Sequence, residues 1–193
     1  MNNIEIIYRE ILHLYFTEKT REFTQKALAR RLDCSVSTVF HALEIPRRTG
    51  AIKVTGRNFA LIDAERLLVF WATRRRLNRE TLFQTHAEGS AAVREGLMPP
   101  DVIFGAYSAY RLRYGTAPAD YEAVVVYANS PASLKTRFPK KQGSTNILLL
   151  KSDPRLSLYG PTTPPVQIYA DLWNLPEWYA QDFRRALHAR LFP

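Results

Sequence analysis

The sequence is poor in the residues that build disulfides and metal centres, with one cysteine and four histidines among 193 residues. A single cysteine cannot form a disulfide within the chain, and the histidines and the cysteine are not spaced as metal ligands are. No uncharged apolar run approaches the roughly 18 residues that a membrane-spanning helix requires, and no basic segment precedes an apolar run as in a signal peptide. We therefore expect a cytoplasmic protein without membrane attachment, metal or cofactor.

The sequence also lacks the patterns that identify the common classes of enzyme. It contains no phosphate-binding glycine loop, no dinucleotide fingerprint and no Ser-His-Asp or Cys-His set for nucleophilic catalysis. A nucleotidyltransferase needs Gly-Ser followed by a strand with two alternating carboxylates, whereas Gly89-Ser90 is followed by Asp101 without a second acid. Lys151 ends an apolar run with no acid two residues before it, which excludes the pattern of a restriction-type nuclease. We expect no catalytic activity.

Basic residues outnumber acidic residues, and the excess is concentrated in one part of the chain. Lysine and arginine total 27 and aspartate and glutamate total 18, which gives a net charge of +9. Residues 19–57 hold nine basic and three acidic residues, a net charge of +6, whereas residues 78–193 hold thirteen and ten. A local excess of positive charge favours a polyanionic partner, because each neutralised phosphate releases counterions. A solvated basic surface is the alternative interpretation.

The first 77 residues are patterned as helices around a hairpin. Thr24 and Ser35 have the side chains and positions of helix N-caps, and Pro46 and Gly50 are expected to end the helical region. Two short apolar runs around a glycine-containing turn are typical of a β-hairpin. The predicted elements are, in order, a helix over 4–16, helices over 25–32 and 36–43, a hairpin formed by 51–54 and 59–62, and a helix over 63–76.

The stretch from Thr24 to Leu43 has the pattern of a helix-turn-helix. Ala27 and Ala29 are small enough to let two helices cross closely, and Ser35 starts the second helix at a defined point. The hairpin that follows would be the wing, with Arg57 near its tip. Through the run S-x-x-T-V-x-x-A-L over 35–43, this segment resembles the winged helix-turn-helix of many prokaryotic transcription regulators.

In a helix-turn-helix, the helical spacing predicts that Val39, Ala42 and Leu43 face the core, while Val36, Ser37, Phe40 and His41 face outward. The outward side and the basic residues that follow it hold the candidates for contact with DNA. The second helix lacks the arginine, asparagine and glutamine side chains that form bidentate contacts with bases, so we expect modest sequence specificity or reading through DNA shape. His41 is either a DNA contact or an uninvolved surface histidine, and Phe40 is expected to pack rather than to contact a thymine methyl group. The predicted DNA-binding residues are Ser35, Ser37, Thr38, His41, Arg47, Arg48, Lys53 and Arg57, of which Arg47, Arg48, Lys53 and Arg57 would contact the DNA backbone.

Beyond residue 78 helices and strands alternate. The expected elements are strands over 81–85, 123–127 and 146–150, helices over 90–96, 103–114 and 166–173, a final helix from about residue 176, and a polar, basic loop over 130–144. We therefore predict an α+β fold in which an N-terminal winged helix-turn-helix (1–62) and a connecting helix (63–77) precede a mixed α/β C-terminal domain (78–193).

Three short motifs of the second half occur in a recognisable order. They are GAYSAYRLRYG over 105–115, the run 121–127, and PPVQIYADLWNLP over 164–176. In this order they resemble the C-terminal domain of AbiEi-type proteins, the antitoxins of type IV toxin–antitoxin systems, which also place a winged helix-turn-helix first. The resemblance implies a transcriptional regulator that binds double-stranded operator DNA and antagonises a nucleotidyltransferase-like toxin without a stable complex.

Two classes of function therefore remain open from the sequence. The first is a DNA-binding regulator, expected to be a homodimer because one winged helix contacts too little DNA for typical operator affinity. The second is a protein- or RNA-binding adaptor that uses the winged helix as a scaffold.

Overall fold

A computed structural model describes residues 1–56 and 58–193, which form two compact units. The first unit contains Met1–Arg75 and the second contains Arg76–Leu191. The architecture is α+β, with one three-stranded sheet and one four-stranded sheet among the described residues. None of the described helices is both long enough and apolar enough to cross a membrane.

The first unit packs helices on one side of a small antiparallel sheet. Its sheet has the strand order β1-β3-β2, in which Phe59 of β3 lies opposite Phe23 of β1 and Val54 of β2. Its elements are α1 (Asn3–Glu18), β1 (Glu22–Thr24), α2 (Gln25–Leu32), α3 (Val36–Arg48), β2 (Ile52–Thr55), β3 (Asn58–Leu61) and α4 (Ala64–Arg74).

Helix α3 continues through Pro46, where the sequence predicted that it would end. Proline has no N–H to donate to the carbonyl oxygen of Ala42, four residues earlier. The hydroxyl of Tyr8, on α1, donates to that same oxygen at 2.7 Å. A tertiary contact therefore satisfies the acceptor that proline leaves open, and the helix extends to Arg48.

Helix α4 belongs to the core of the first unit, although the sequence suggested a connecting helix over 63–77. Leu67, Leu68 and Trp71 are completely buried. The indole N–H of Trp71 and the guanidinium of Arg75 both donate to Oε2 of Glu5 on α1, at 3.1 and 2.9 Å. A connecting segment would have few such contacts, so the first unit extends to Arg75 rather than to residue 62.

The second unit is built around a mixed sheet with the strand order β4-β7-β6-β5. Strands β6 and β7 are parallel, and the two outer pairs are antiparallel. Its elements are β4 (Thr81–Thr85), α5 (Ala91–Gly96), β5 (Ile103–Gly105), α6 (Ala106–Tyr114), β6 (Val124–Ala128), α7 (Ala132–Arg137), β7 (Ile147–Lys151), α8 (Pro165–Leu172) and α9 (Ala180–Leu191).

Helices cover the central strand β6 on both faces, so all five of its residues are buried. On one face Val124 and Val126 join a hydrophobic cluster with Ala91 of α5 and Leu134 of α7. On the other face Tyr127 donates a hydrogen bond to Asp171 of α8 at 2.6 Å. Burial on both faces explains the continuous apolar run from which this strand was predicted.

Two predictions for the second half are wrong. The helix predicted over 103–114 is strand β5 followed by helix α6, because β5 pairs with β6 and this pairing outweighs the local pattern. The chain changes direction at Ala106, whose φ of +45° is unusual for a residue other than glycine. The loop predicted over 130–144 contains α7, which is held to the sheet by the completely buried Leu134.

Candidate nucleic-acid interface

Side-chain caps fix the start of α2 and of α3. The hydroxyl oxygen of Thr24 accepts from the backbone N–H of Ala27 at 3.0 Å, and that of Ser35 accepts from the N–H of Thr38 at 3.0 Å. Between the helices, Asp33 adopts a left-handed conformation with a φ of +52°, which ends α2 and lets the chain reverse. These local interactions confirm the two N-caps that were predicted from the sequence.

Helix α3 has one buried side and one exposed side. Val39, Ala42 and Leu43 are at most 3% exposed and pack into the first unit. We define the outer face of α3 as the exposed residues Val36, Ser37, Phe40 and His41. The buried residues and the outward-facing residues of α3 are those predicted from the sequence.

The hairpin formed by β2 and β3 follows α3 directly. Its position is fixed on one side by the pairing of β1 with β3 and by the stacked rings of Phe23 and Phe59, whose centroids are 5.3 Å apart. Lys53 is exposed on β2. Arg57, predicted near the tip of the hairpin, lies outside the described residues.

The predicted contact residues on α3 fall into two groups. Ser35 and Thr38 are partly engaged with each other, because their hydroxyl groups are 2.8 Å apart and that of Ser35 also caps the helix. Ser37 and His41 are exposed, and Nδ1 of His41 lies 3.4 Å from a carboxylate oxygen of Glu44. The hydroxyl of Ser35 therefore serves mainly as the cap of α3, whereas Ser37 and His41 are exposed to a ligand.

Arg47 and Arg48 lie in the last turn of α3, at the end opposite to the cap. At a rise of about 1.5 Å per residue, about 15 Å of helix separates Ser37 from Arg47. The structure therefore arranges the predicted residues along the helix rather than in one cluster. Such an extended arrangement fits a long polyanion better than a small ligand.

Val36 and Phe40 face outward as predicted, at 47% and 48% exposure. The ring of Phe40 also packs edge-on against the ring of His41, with centroids 5.6 Å apart. Sequence reasoning missed one feature of this surface. Lys26 and Arg30 of α2 are also exposed and add two positive charges near α3. Their spacing of four residues on α2 places them on one side of that helix, and this was the signal available in the sequence.

The second unit has a groove of different character. Its volume is about 820 Å³, and its lining combines the aromatic residues Tyr121, Trp178 and Tyr179 with the carboxylates of Asp120, Glu122 and Glu177. Lysine and arginine are absent from the described residues that line it. Phosphate groups would be repelled there, so the groove does not suit a nucleic acid.

Internal hydrogen bonds hold the walls of this groove. The buried hydroxyl of Tyr107 donates to Glu177 at 2.9 Å, and the hydroxyl of Tyr179 accepts from the backbone N–H of Ala123 at 3.0 Å. Burial, and secondly the nearby carboxylate of Glu177, raises the pKa of Tyr107 well above its usual range, so this hydroxyl stays protonated and remains a donor. Metal-binding clusters of His, Cys, Asp and Glu do not occur among the described residues.

Comparison of this chain with models of protein families, with curated proteins and with solved structures finds no match.

Proposed function

We propose that this protein is a DNA-binding transcriptional regulator whose first unit is a winged helix-turn-helix. Helix α3 would enter the major groove, and the hairpin β2–β3 would lie against the DNA backbone as the wing. The observation that carries the proposal is the outer face of α3, which is exposed on a helix whose start is fixed by Ser35 and whose opposite side is buried. A helix held in this way presents a defined surface to a groove.

Exposed basic residues around α3 supply the contacts with phosphate. Five of them form no ion pair with the described residues, so their charges are available to an external anion. Neutralising phosphates with these side chains would make binding strongly dependent on salt. They are Lys26, Arg30, Arg47, Arg48 and Lys53.

We further propose that the protein acts in the cytoplasm as an autoregulatory antitoxin of a type IV toxin–antitoxin system. This part rests on the resemblance of the motifs over 105–115, 121–127 and 164–176 to AbiEi-type proteins. It implies a homodimer on an operator with two half-sites and a nucleotidyltransferase-like toxin as the functional counterpart, without a stable complex.

Selection of fragments from the genomic DNA of the source organism by the full-length protein, followed by sequencing, tests DNA binding. The expected result is enrichment of a defined site. The Kd for that site is then measured at several salt concentrations for the wild type and for Arg47→Ala, Lys53→Ala and Arg57→Ala. Each substitution should reduce the slope of log Kd against log salt by about one unit.

Arg185→Ala is the matched control, because Arg185 is an exposed arginine on α9 of the second unit. Its salt slope should equal that of the wild type. A complex that is insensitive to salt, or equal slopes for all variants, would contradict a role of these residues at the DNA backbone.

A protein-binding adaptor is the second candidate, and one observation favours it. Val36 and Phe40 are large apolar residues on an exposed helix face, which is also a feature of protein interfaces. If genomic selection enriches no site and Phe40→Ala removes a protein that co-purifies with the wild type, the adaptor is the better assignment.

A further inference from the structure

We infer that Val36 and Phe40 determine sequence specificity by contacting the methyl groups of thymine in the major groove. This inference rests on the proposed DNA-binding function and names the bases that α3 would select. The packing of α3, the position of both side chains and the charge around them carry the argument.

The packing of α3 leaves both side chains outside the protein core. Val39 is completely buried, and Ala42 and Leu43 are almost so, which accounts for the apolar contact between α3 and the rest of the first unit. Val36 and Phe40 remain 47% and 48% exposed on the opposite side. Together they form an apolar patch beside His41, whose ring packs edge-on against that of Phe40, and an apolar patch ringed by charged residues is a feature of contact surfaces.

The two side chains are positioned to meet neighbouring base pairs. Val36 is the first residue of α3 and Phe40 follows four residues later, so their Cβ atoms lie about 5–6 Å apart on one side of the helix. The N-terminal turns of a recognition helix are the part that contacts base edges. Successive base pairs are about 3.4 Å apart, so both residues can reach methyl groups within the same few base pairs.

The chemistry of the surface selects thymine among the four bases. Thymine is the base that presents a methyl group in the major groove, and apolar side chains contact it there. The outer face of α3 has no arginine, asparagine or glutamine for bidentate contacts with guanine or adenine. The hydroxyl of Ser37 can hydrogen-bond to more than one kind of base, so it discriminates little, whereas apolar contact with the methyl group singles out thymine.

The surrounding charge identifies DNA rather than an apolar protein surface as the partner. Residues 19–57 carry a net charge of +6, with the exposed basic residues on α2, at the end of α3 and on β2. The carboxylate of Glu44, the exposed acidic residue of α3, lies 3.4 Å from Nδ1 of His41. DNA presents thymine methyl groups between two phosphate backbones, so it matches both the positive charge around α3 and the apolar side chains at its start.

The test begins with selection of binding sites from random double-stranded DNA by the full-length protein. In the selected site, each thymine is then replaced in turn by deoxyuridine, which removes the methyl group and leaves base pairing unchanged. Loss of a buried methyl contact should weaken binding by wild-type protein about fourfold at one or two positions. Each Kd is also measured for Phe40→Ala and Val36→Ala, so that the methyl group and the side chain form a double-mutant cycle.

The expected result is that deoxyuridine at a sensitive position weakens the wild type but leaves Phe40→Ala or Val36→Ala unchanged. Ile45→Ala is the control, because Ile45 is also exposed on α3, at 37%, but lies in its C-terminal half. The Ile45→Ala variant should remain as sensitive to deoxyuridine as the wild type. Circular dichroism of each variant verifies folding, and the deoxyuridine probes test the wild type without any substitution.

Three outcomes would overturn the inference or the function beneath it, and they are distinguishable. Failure to bind any DNA would refute the proposed function. Tight, salt-dependent binding that no deoxyuridine weakens, or a selected site without thymine, would refute the thymine readout and leave the proposed function standing. Equal sensitivity of the wild type, Val36→Ala and Phe40→Ala to deoxyuridine would show that other residues contact the methyl groups.

Discussion

Removing the hydroxyl of Tyr8 should destabilise the first unit through helix α3. Tyr8 is 4% exposed, and its hydroxyl is the donor that replaces the missing N–H of Pro46 at the carbonyl oxygen of Ala42. In Tyr8→Phe this buried oxygen would have no donor, because the ring is too well packed for water to reach it easily. Leaving one buried acceptor unsatisfied costs about 1–3 kcal/mol.

The physical reason can be tested by restoring the donor. Pro46→Ala gives residue 46 a backbone N–H that can donate to Ala42 in the normal helical pattern. Tyr8→Phe should therefore destabilise the Pro46→Ala protein by less than it destabilises the wild type. The difference between the two effects, about 1 kcal/mol or more, is the coupling between the hydroxyl and the proline.

Urea unfolding followed by the fluorescence of Trp71 provides the measurement. Trp71 is buried in the first unit, and replacing Trp173 and Trp178 by phenylalanine in all four proteins makes the signal specific to that unit. Equal destabilisation by Tyr8→Phe in the presence and absence of Pro46 would refute the idea that the hydroxyl substitutes for the missing N–H.

Three further predictions concern the pH dependence of stability, a tight contact and a helix cap. Burial raises the pKa of Tyr8 from 10.0 to about 12, so the stability that its protonated hydroxyl contributes is complete below pH 10 and is lost as the pH rises through 12. Above pH 10 the free energy of unfolding should therefore fall less steeply with pH for Tyr8→Phe than for the wild type. Gly105→Ala should lower the midpoint of thermal unfolding of the second unit, because the added Cβ would lie 2.8 Å from Cε2 of Tyr127. Gly96→Ala is the control: its Cβ meets no atom within 4 Å, so the midpoint should stay unchanged or rise slightly. Ser35→Ala should cost about 1 kcal/mol in the free energy of unfolding by urea, through loss of the cap of α3; a variant as stable as the wild type would contradict that role.

The sequence by itself determined the features that depend on neighbouring residues. Thr24 and Ser35 cap their helices because a hydroxyl and an N–H three residues later are always close together at a helix start. The buried side of α3 followed from the spacing of Val39, Ala42 and Leu43, since helical periodicity is a local property. The buried strands β6 and β7 followed from continuous apolar runs, within one residue of their observed bounds.

Only the tertiary structure decided the features that depend on distant partners. The continuation of α3 past Pro46 depends on Tyr8, 38 residues earlier in the chain. Strand β5 exists because it pairs with β6, although its own residues 103–105 precede α6 without a break that the sequence reveals. In each case a long-range contact outweighs a local preference of about 1 kcal/mol or less, and one sequence read along its length does not show which contact forms.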